Sequence, residues 1–164
     1  MRTWIFQCNP NDFDIDGYLA LGPNEITWLV RRYATDIQPG DVVYMWRSAG
    51  GSKGKAGIIA RATVLTEPAN ILDDPAAAPF WKRNAPTGTS TRVKLRVDGI
   101  AKSRDFIKRE WLVDDPACSE MLIIRQPAGT NFPLEPLEAE RLRNLWTKTG
   151  VGWTRAESLA ALHT

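Results

Sequence analysis

Histidine and cysteine are scarce in this sequence of 164 residues. The single histidine, His163, stands next to the last residue, and we expect that end of the chain to fray. The sequence therefore gives no support to a histidine-dependent catalytic triad, an HNH-type nuclease or a histidine-ligated metal site. The two cysteines, Cys8 and Cys118, are far apart and lack the spacing of metal ligands, which argues against a disulfide framework and a zinc site.

Long apolar runs and the common nucleotide-binding motifs are also missing. No apolar run approaches membrane-spanning length, and residues 1–10 turn polar before a signal-peptide core is complete. Neither a Walker loop nor a Gly-x-Gly-x-x-Gly fingerprint is found. No lysine has an acidic residue two positions before it, so the (D/E)-x-K element common in restriction nucleases is absent. These absences predict a cytoplasmic protein that uses no cofactor, no metal, no catalytic residues and no membrane.

Short β-prone segments are what the sequence has in abundance. With 43% hydrophobic residues, a chain of this length suits one compact domain. The segment 42–46 follows the turn signal 38–41 and is apolar on both faces, so we expect a central strand covered on both sides. The predicted strands cover residues 3–8, 25–32, 42–46, 58–65 and 92–97.

Fewer helices are predicted. We expect residues 103–111 to form one helix, and Pro136 at a first helical position opens another. A third short helix is predicted at the C-terminal end. The sequence thus predicts a domain over residues 1–150 and a C-terminal helical extension over residues 151–164.

The net charge of +2 is distributed unevenly along the chain. The stretches 47–61 and 75–97 carry basic residues and no acidic ones, whereas the stretch 110–140 is mostly acidic. A basic middle beside an acidic flank is typical of a protein that docks a polyanion on one side. The alternative is that these charges merely solvate strand and loop surfaces. The cations of the segment 92–97, which alternate with apolar residues and are expected to face solvent, are Arg92, Lys94 and Arg96.

Seven tryptophans are more than a core of this size usually needs. Several of them stand beside arginine, glycine or asparagine, and Trp28, Trp46 and Trp111 are the candidates of most interest. Indole rings restore stacking to a nucleobase that has left its neighbours, at roughly 1–3 kcal/mol per base. The competing interpretation is that each tryptophan fills the core, since large aromatic side chains dominate core energetics.

Three acidic residues, Asp12, Asp14 and Asp16, precede Gly17 and imitate the opening of a calcium-binding EF-hand loop. The final glutamate of such a loop would fall on Pro23, which excludes calcium. A turn with helix capping is the favoured interpretation of these carboxylates.

Several segments resemble one known family in their order and spacing. Residues 4–10, Trp-Ile-Phe-Gln-Cys-Asn-Pro, resemble the opening strand of EVE domains, which ends in a turn closed by proline. Residues 28–31 resemble their Trp-x-Val-Arg segment, residues 37–47 their Gly-Asp strand, and residues 57–60 the strand that returns beside it.

A further segment, residues 125–134, resembles the stretch before the last helix of the family, so the resemblance spans roughly residues 3–146. It implies an α+β fold: a PUA-like mixed β-barrel of about five to six strands flanked by short helices, related to YTH domains. It also implies a non-catalytic module that holds a flipped, modified base, with 5-modified cytosine favoured and DNA favoured over RNA.

The resemblance and the residue types together suggest a site. Trp28 and Trp46 are expected to sandwich the base, while Asn9 and the segment 129–131 read its polar edge. The expected base-binding residues are Asn9, Trp28, Trp46, Arg47, Ser48, Gly129, Thr130 and Asn131. The expected phosphate-binding residues are Arg31, Lys53, Lys55, Arg92 and Lys94, with Arg47 as a further candidate.

Alternatives from other classes stay open at this point. One is an RNA-binding module of the same fold. Another is a metal-dependent nuclease or hydrolase that uses Asp12, Asp14 and Asp16. A third is an interaction module that binds a nuclease or another protein through its acidic flank. The sequence also leaves open a homodimer formed through residues 151–164.

Overall fold

The computed structural model describes residues 1–102 and 105–148. The predicted extension over residues 151–164 lies outside these described residues. The strands are β1 (Thr3–Cys8), β2 (Glu25–Leu29), β3 (Val42–Arg47), β4 (Gly57–Val64), β5 (Ala69–Ile71), β6 (Ser90–Ile100), β7 (Ile107–Lys108) and β8 (Asn131–Pro133). The α-helices are α1 (Ile15–Ala20), α2 (Arg109–Asp114), α3 (Leu122–Arg125) and α4 (Pro136–Lys148), and a 3₁₀-helix spans Pro75–Phe80.

The strands form one mixed sheet that curls into a half-barrel. Its path is β2-β6-β4-β3-β1-β8, with β5 paired to β6 and β7 paired to β4. The β1–β3 pair is parallel and the other pairs are antiparallel. The predicted mixed β-architecture with short flanking helices is therefore confirmed.

Strand β3 lies at the centre of the sheet, as its apolar sequence predicts. It pairs with β1 on one side and β4 on the other, and all of its residues are buried. Because side chains alternate along a strand, Val43 and Met45 enter one core cluster while Tyr44 and Trp46 enter a second. The two clusters cover the two faces of the sheet.

The turn before β3 is fixed by the buried carboxylate of Asp41. Its Oδ2 accepts hydrogen bonds from the indole N–H of Trp4 at 2.9 Å and the backbone N–H of Gln38 at 3.0 Å. Its Oδ1 accepts from the backbone N–H of Arg2 at 2.9 Å. Gly40 has a φ of 92°, a backbone conformation that L side chains rarely adopt. The Gly-Asp pair therefore joins the starts of β1 and β3.

The predicted helix over residues 103–111 is wrong in its central part. Ile107 is fully buried and pairs with Ile58 in the β4–β7 ladder, and a helix begins only at Arg109. The sheet edge supplies backbone partners and a core position for Ile107, and this tertiary pairing outweighs local helix propensity. Residues 103 and 104 lie outside the described part of the chain.

Helix α4 begins at Pro136, as predicted, and buries Leu142 and Trp146 against the second core cluster. Its first turn is held by Glu138, whose Oε1 accepts from the backbone N–H of Glu135 at 2.9 Å. Burial raises the pKa of the Glu138 carboxyl. Among the helices of residues 1–102 and 105–148, none combines the length and apolar character required to cross a membrane.

Candidate functional site

A cavity of about 700 Å³ opens where the C-terminal ends of β1 and β2 meet the start of β6 and the 3₁₀-helix. A loop that precedes β8 closes one side of it. This volume lies in the usual range for pockets that hold small organic groups. The lining residues are Gln7, Cys8, Asn9, Asp12, Phe13, Tyr18, Thr27, Trp28, Leu29, Arg31, Ser48, Asp73, Ala77, Trp81, Asn84, Pro86, Ser90, Arg92 and residues 127–130.

Aromatic rings form one wall of the cavity. Phe13 is the central ring: its centroid lies 4.7 Å from that of Trp81 and 6.3 Å from that of Trp28. The Phe13 and Trp28 rings meet edge to face at 81°, an arrangement that aromatic pairs favour. Trp28 is 8% exposed and Trp81 is half-buried. Trp81 is therefore the most accessible of the three aromatic residues.

A polar wall of the same cavity adjoins these rings and centres on the carboxylate of Asp73. Its Oδ1 accepts from the Thr27 hydroxyl at 3.0 Å and from Nη1 of Arg92 at 3.3 Å. Its Oδ2 accepts from the indole N–H of Trp81 at 3.0 Å. One carboxylate thus orients the Trp81 ring and holds Arg92 in place.

The loop over residues 127–130 is tied to β1 through Gln7. The Gln7 side-chain amide donates to the carbonyl oxygens of Pro127 at 2.9 Å and Gly129 at 2.8 Å. The Gln7 backbone N–H donates to the Thr130 carbonyl at 2.7 Å. Gly129 has a φ of 138°, and a Cβ there would lie 3.3 Å from the Phe132 ring. The loop is therefore rigidly placed, as a recognition surface requires.

Asn131 is buried and does not line the cavity, although it was expected to read the base. Its Oδ1 accepts from the backbone N–H of Arg31 at 2.7 Å, and its Nδ2 donates to the Leu29 carbonyl at 3.0 Å. It thus fixes the chain just beyond β2. The exposed Arg31 side chain lines the cavity and has no ion pair within the described residues.

The predicted sandwich of Trp28 and Trp46 is not formed. Trp46 is 2% exposed and packs in the second core cluster with Tyr44 and Ile58, whereas Trp28 belongs to the first cluster and lines the cavity. Side-chain alternation along β3 directs Trp46 to the other face of the sheet. Trp46 is therefore a core residue.

Arg47 also differs from its expected role. Its side chain is buried: Nη1 forms an ion pair with Asp16 at 2.7 Å and Nε donates to the Lys55 carbonyl at 2.9 Å. The guanidinium carbon lies 4.9 Å from the centroid of Phe106. With these contacts made, Arg47 links α1 to the loop after β3 and does not line the cavity.

Of the other expected residues, Asn9, Ser48, Gly129 and Thr130 line the cavity together with Trp28. The Asn9 Oδ1 accepts from the backbone N–H of Asn11 at 2.9 Å, which fixes the turn after β1. The structure therefore brings most of the predicted base-binding residues together.

Apart from Arg31 and Arg47, the expected phosphate-binding residues divide into three groups. Arg92 is 2% exposed, which contradicts its expected place on a solvent face and excludes a surface phosphate contact. Lys94 is exposed, lies 4.0 Å from Glu25 and is not part of the cavity lining. Lys53 and Lys55 are exposed on the loop that follows Ser48. Neither lysine lines the cavity, although the loop packs against the turn after β1, where a Cβ on Gly50 would lie 2.6 Å from Pro10.

Several cations in the basic middle of the chain form ion pairs with aspartates outside their own basic stretches. Asp98 pairs with both Arg61, at 2.8 Å, and Arg96, at 2.9 Å. Arg83 pairs with Asp12. The local charge runs therefore overstate the positive surface, and Arg31, which lines the cavity and has no ion pair in the described part of the chain, matters more.

The acids that imitate an EF-hand opening have structural partners. Asp14 caps α1, its Oδ1 accepting from the backbone N–H of Gly17 at 3.1 Å, as the capping interpretation predicts. Asp16 and Asp12 form the ion pairs with Arg47 and Arg83. Within the described ranges, no group of three or more His, Cys, Asp or Glu side chains is arranged to hold a metal ion.

The nucleophilic groups of the cavity are held neutral. Burial, reinforced by the negative charges of Asp12, Asp16 and Asp14, raises the pKa of the Cys8 thiol to about 12. Burial and a hydrogen bond to Asp74 raise the pKa of the Tyr18 hydroxyl above its usual range. A reactive thiolate or phenolate is therefore disfavoured near neutral pH.

Sequence reasoning missed Phe13, Trp81 and Asp73 as parts of this site. Trp81 was one of seven tryptophans and follows an alanine- and proline-rich stretch that gives no strand or helix signal. Asp73 precedes Asp74 and Pro75, a pattern typical of a surface turn. The one available signal was the tryptophan count, which exceeded the needs of the core.

The fold is shared with several solved structures. A hypothetical protein from Leishmania major is 19% identical with a TM-score of 0.63, and the alignment covers 90% of this chain and 96% of that one. A Rhodopseudomonas palustris protein solved by NMR is 16% identical with a TM-score of 0.60, covering 88% and 92%. Human THYN1, in a complex with DNA containing 5-methylcytosine, is 16% identical with a TM-score of 0.60, covering 88% and 97%. No curated protein sequence matches this chain significantly.

The curled mixed sheet with short flanking helices defines a PUA-like domain. The model of one family, the EVE domain, matches residues 2–145. The chain therefore belongs to the EVE domain family, which confirms the resemblance of its strand and turn motifs.

Proposed function

We propose that this protein is a non-catalytic nucleic-acid-binding module that holds one flipped base, a 5-modified cytosine in DNA, in the cavity. The observation that carries the proposal is the pairing of an aromatic wall with a polar wall. Phe13, Trp28 and Trp81 supply the first, and Asp73 with the loop over residues 127–130 supplies the second. Pockets that hold extruded bases combine stacking rings with groups that read the polar edge of the base.

Two further observations support this function. The chain belongs to the EVE domain family, and it shares its fold with human THYN1, whose structure contains DNA with 5-methylcytosine. The neutral Cys8 thiol and Tyr18 hydroxyl fit a binding site better than a nucleophilic one.

Stacking on Trp81 supplies the main gain in binding free energy. Extruding a base costs a few kcal/mol, and stacking on an aromatic side chain returns roughly 1–3 kcal/mol. The part of the extrusion cost that stacking does not return is offset by contacts of Arg31, Lys53 and Lys55 with the flanking phosphates. A methyl group buried against the rings adds about 0.8 kcal/mol, which corresponds to roughly a fourfold preference for the modified base.

Replacing the Trp81 ring tests this arrangement. Trp81→Ala is expected to weaken binding of a duplex with one 5-methylcytosine by roughly 5- to 150-fold, because a stacking surface is lost. Trp111→Ala is the matched control, since Trp111 is 46% exposed and lies outside the cavity. Both variants and the wild type are titrated with labelled duplexes that differ only by the methyl group.

Equal affinity of the Trp81 and Trp111 variants would contradict the placement of the base. Single-stranded RNA carrying the same base serves as a parallel arm, and tighter binding to it than to DNA would replace DNA with RNA as the ligand. Cleavage of the labelled duplex in the presence of magnesium or manganese, lost on Asp14→Ala, would overturn the non-catalytic assignment.

The exposed cations Arg31, Lys53 and Lys55 predict a salt-dependent affinity. Arg31→Ala is expected to weaken binding to methylated and plain DNA alike and to reduce the slope of log affinity against log salt by about 1. Arg143→Ala, an exposed cation of α4, is the control and should leave the slope unchanged. An unchanged slope for Arg31→Ala would remove Arg31 from the phosphate contacts.

A further inference from the structure

Arg92 occupies an unusual position in the cavity wall. Its side chain lines the cavity although it is 2% exposed, and its Nη1 contacts Asp73 at 3.3 Å. Its other two guanidinium nitrogens, Nε and Nη2, are buried and have no hydrogen-bond partner among the described residues. Buried polar groups are nearly always hydrogen-bonded, so two buried nitrogens without a partner require an explanation. A bound group that accepts from both nitrogens would provide one.

The two unpaired nitrogens form one edge of the guanidinium plane. Nε–H and one N–H of Nη2 point in parallel, and such a fork fits two neighbouring acceptor atoms. A single phosphate at the surface cannot use this edge, because the side chain is buried. The partner must therefore enter the cavity and present two adjacent acceptors.

We infer that the Nε/Nη2 edge of Arg92 reads the O2 and N3 atoms of the cytosine held in the cavity; this inference rests on the proposed function. In a cytosine these two atoms are adjacent acceptors. Both nitrogens are buried before the base enters, so this contact requires the lining side chains around them to shift when the base binds. Asp73 contacts Nη1, at 3.3 Å, so the Nε/Nη2 edge can serve the base while the Asp73 contact is kept.

The contact of Arg92 with O2 and N3 discriminates between 5-methylcytosine and thymine, which a pocket for the methyl group alone cannot do. Thymine and 5-methylcytosine carry the same 5-methyl group, but N3 of thymine bears a hydrogen and cannot accept. Entry of thymine would leave one N–H of the fork unpaired and set it against another donor. Arg92 is therefore a specificity-determining residue, while Trp81 and its neighbours bind either ring.

The test compares DNA strands that carry 5-methylcytosine, thymine or guanine at one position. The wild type is expected to bind the 5-methylcytosine strand roughly 5- to 150-fold more tightly than the thymine strand. Arg92→Lys keeps the charge beside Asp73 but lacks the planar fork, so it is expected to bind both strands with similar affinity. Arg61→Lys, which alters an Arg–Asp pair outside the cavity, should retain the wild-type ratio.

The outcomes separate this inference from the proposed function. If the wild type fails to bind any of the strands, the proposed function is wrong and the inference falls with it. If the wild type binds methylated DNA but shows no preference over thymine, or if Arg92→Lys keeps the preference, only the inference is overturned. Tightest binding of guanine would also overturn it, since guanine offers the fork its O6 and N7 acceptors.

Discussion

Trp46→Ala is expected to lower the free energy of unfolding by about 3–5 kcal/mol and to leave base preference unchanged. The reason is the position of Trp46 in the second core cluster, where it is 2% exposed and packs beside Tyr44 and Ile58. Removing the indole leaves a void that the neighbouring strands cannot fill without shifting. In a domain of this size the loss corresponds to a melting temperature lower by roughly 6–20 °C.

Thermal denaturation of wild type, Trp46→Ala and Trp111→Ala measures this effect. The exposed Trp111 serves as control, and its replacement should change stability by about 0.5 kcal/mol or less. Base preference of the folded Trp46→Ala protein is then measured at low temperature. A variant with wild-type stability that has lost its preference would place Trp46 back in the base-binding site.

Removing the carboxylate of Asp73 is the second change with a large expected effect. Asp73→Ala leaves the buried charge of Arg92 without a partner and is expected to cost about 3–5 kcal/mol of stability. It also frees the Trp81 ring, whose indole N–H donates to the same carboxylate. The variant is therefore expected to lose both stability and affinity for methylated DNA.

A double-mutant cycle isolates the charge pair. Asp73→Ala combined with Arg92→Met removes both charges, and it is expected to recover a large part of the stability that Asp73→Ala loses. Urea denaturation of the wild type, both single variants and the double variant gives the coupling free energy. Additive losses would show that Asp73 acts mainly through Thr27 and Trp81.

The strands that repeat a clear pattern were predictable from sequence. The run before Trp46 is apolar at every position, which only a strand covered on both faces accommodates, and β3 lies in the sheet centre. The Gly40–Asp41 turn and Pro136 marked element starts correctly. The helix prediction was wrong at residues 107 and 108 because these residues form a strand only by pairing with β4. The local sequence contains no signal for that pairing.

The parts of the site that lie on β1, on β2 and at residues 129–130 were predictable from the sequence. The part formed by Asp73 and Trp81 was not. Trp28, Asn9 and Gly129 sit at the ends of recognisable strands and turns, so their meeting follows from the fold. Trp81 and Asp73 reach the cavity from an irregular segment. The alternation rule also misplaced Arg92: it gave the correct face of β6, but Asp73 and its neighbours cover that face.

The ion pairs explain why local charge was a poor guide to the binding surface. Each of Arg47, Arg83 and Arg92 pairs with an aspartate distant in the chain. The basic stretches of the sequence therefore carry less free positive charge in the structure than their composition indicates. Arg31 lines the cavity without an ion pair among the described residues, and it belongs to the same Trp-x-Val-Arg segment that supplies Trp28.

The most direct test of whether the cavity holds one base is to remove that base from the DNA and keep the sugar-phosphate backbone. Wild-type protein is titrated with single-stranded DNA in which one position is 5-methylcytosine, cytosine or an abasic site, at fixed salt. Affinity is expected to fall from 5-methylcytosine to cytosine and then by roughly 5- to 150-fold in total to the abasic strand. Equal affinity for the abasic and methylated strands would show that the protein binds phosphates alone and that the cavity holds no base.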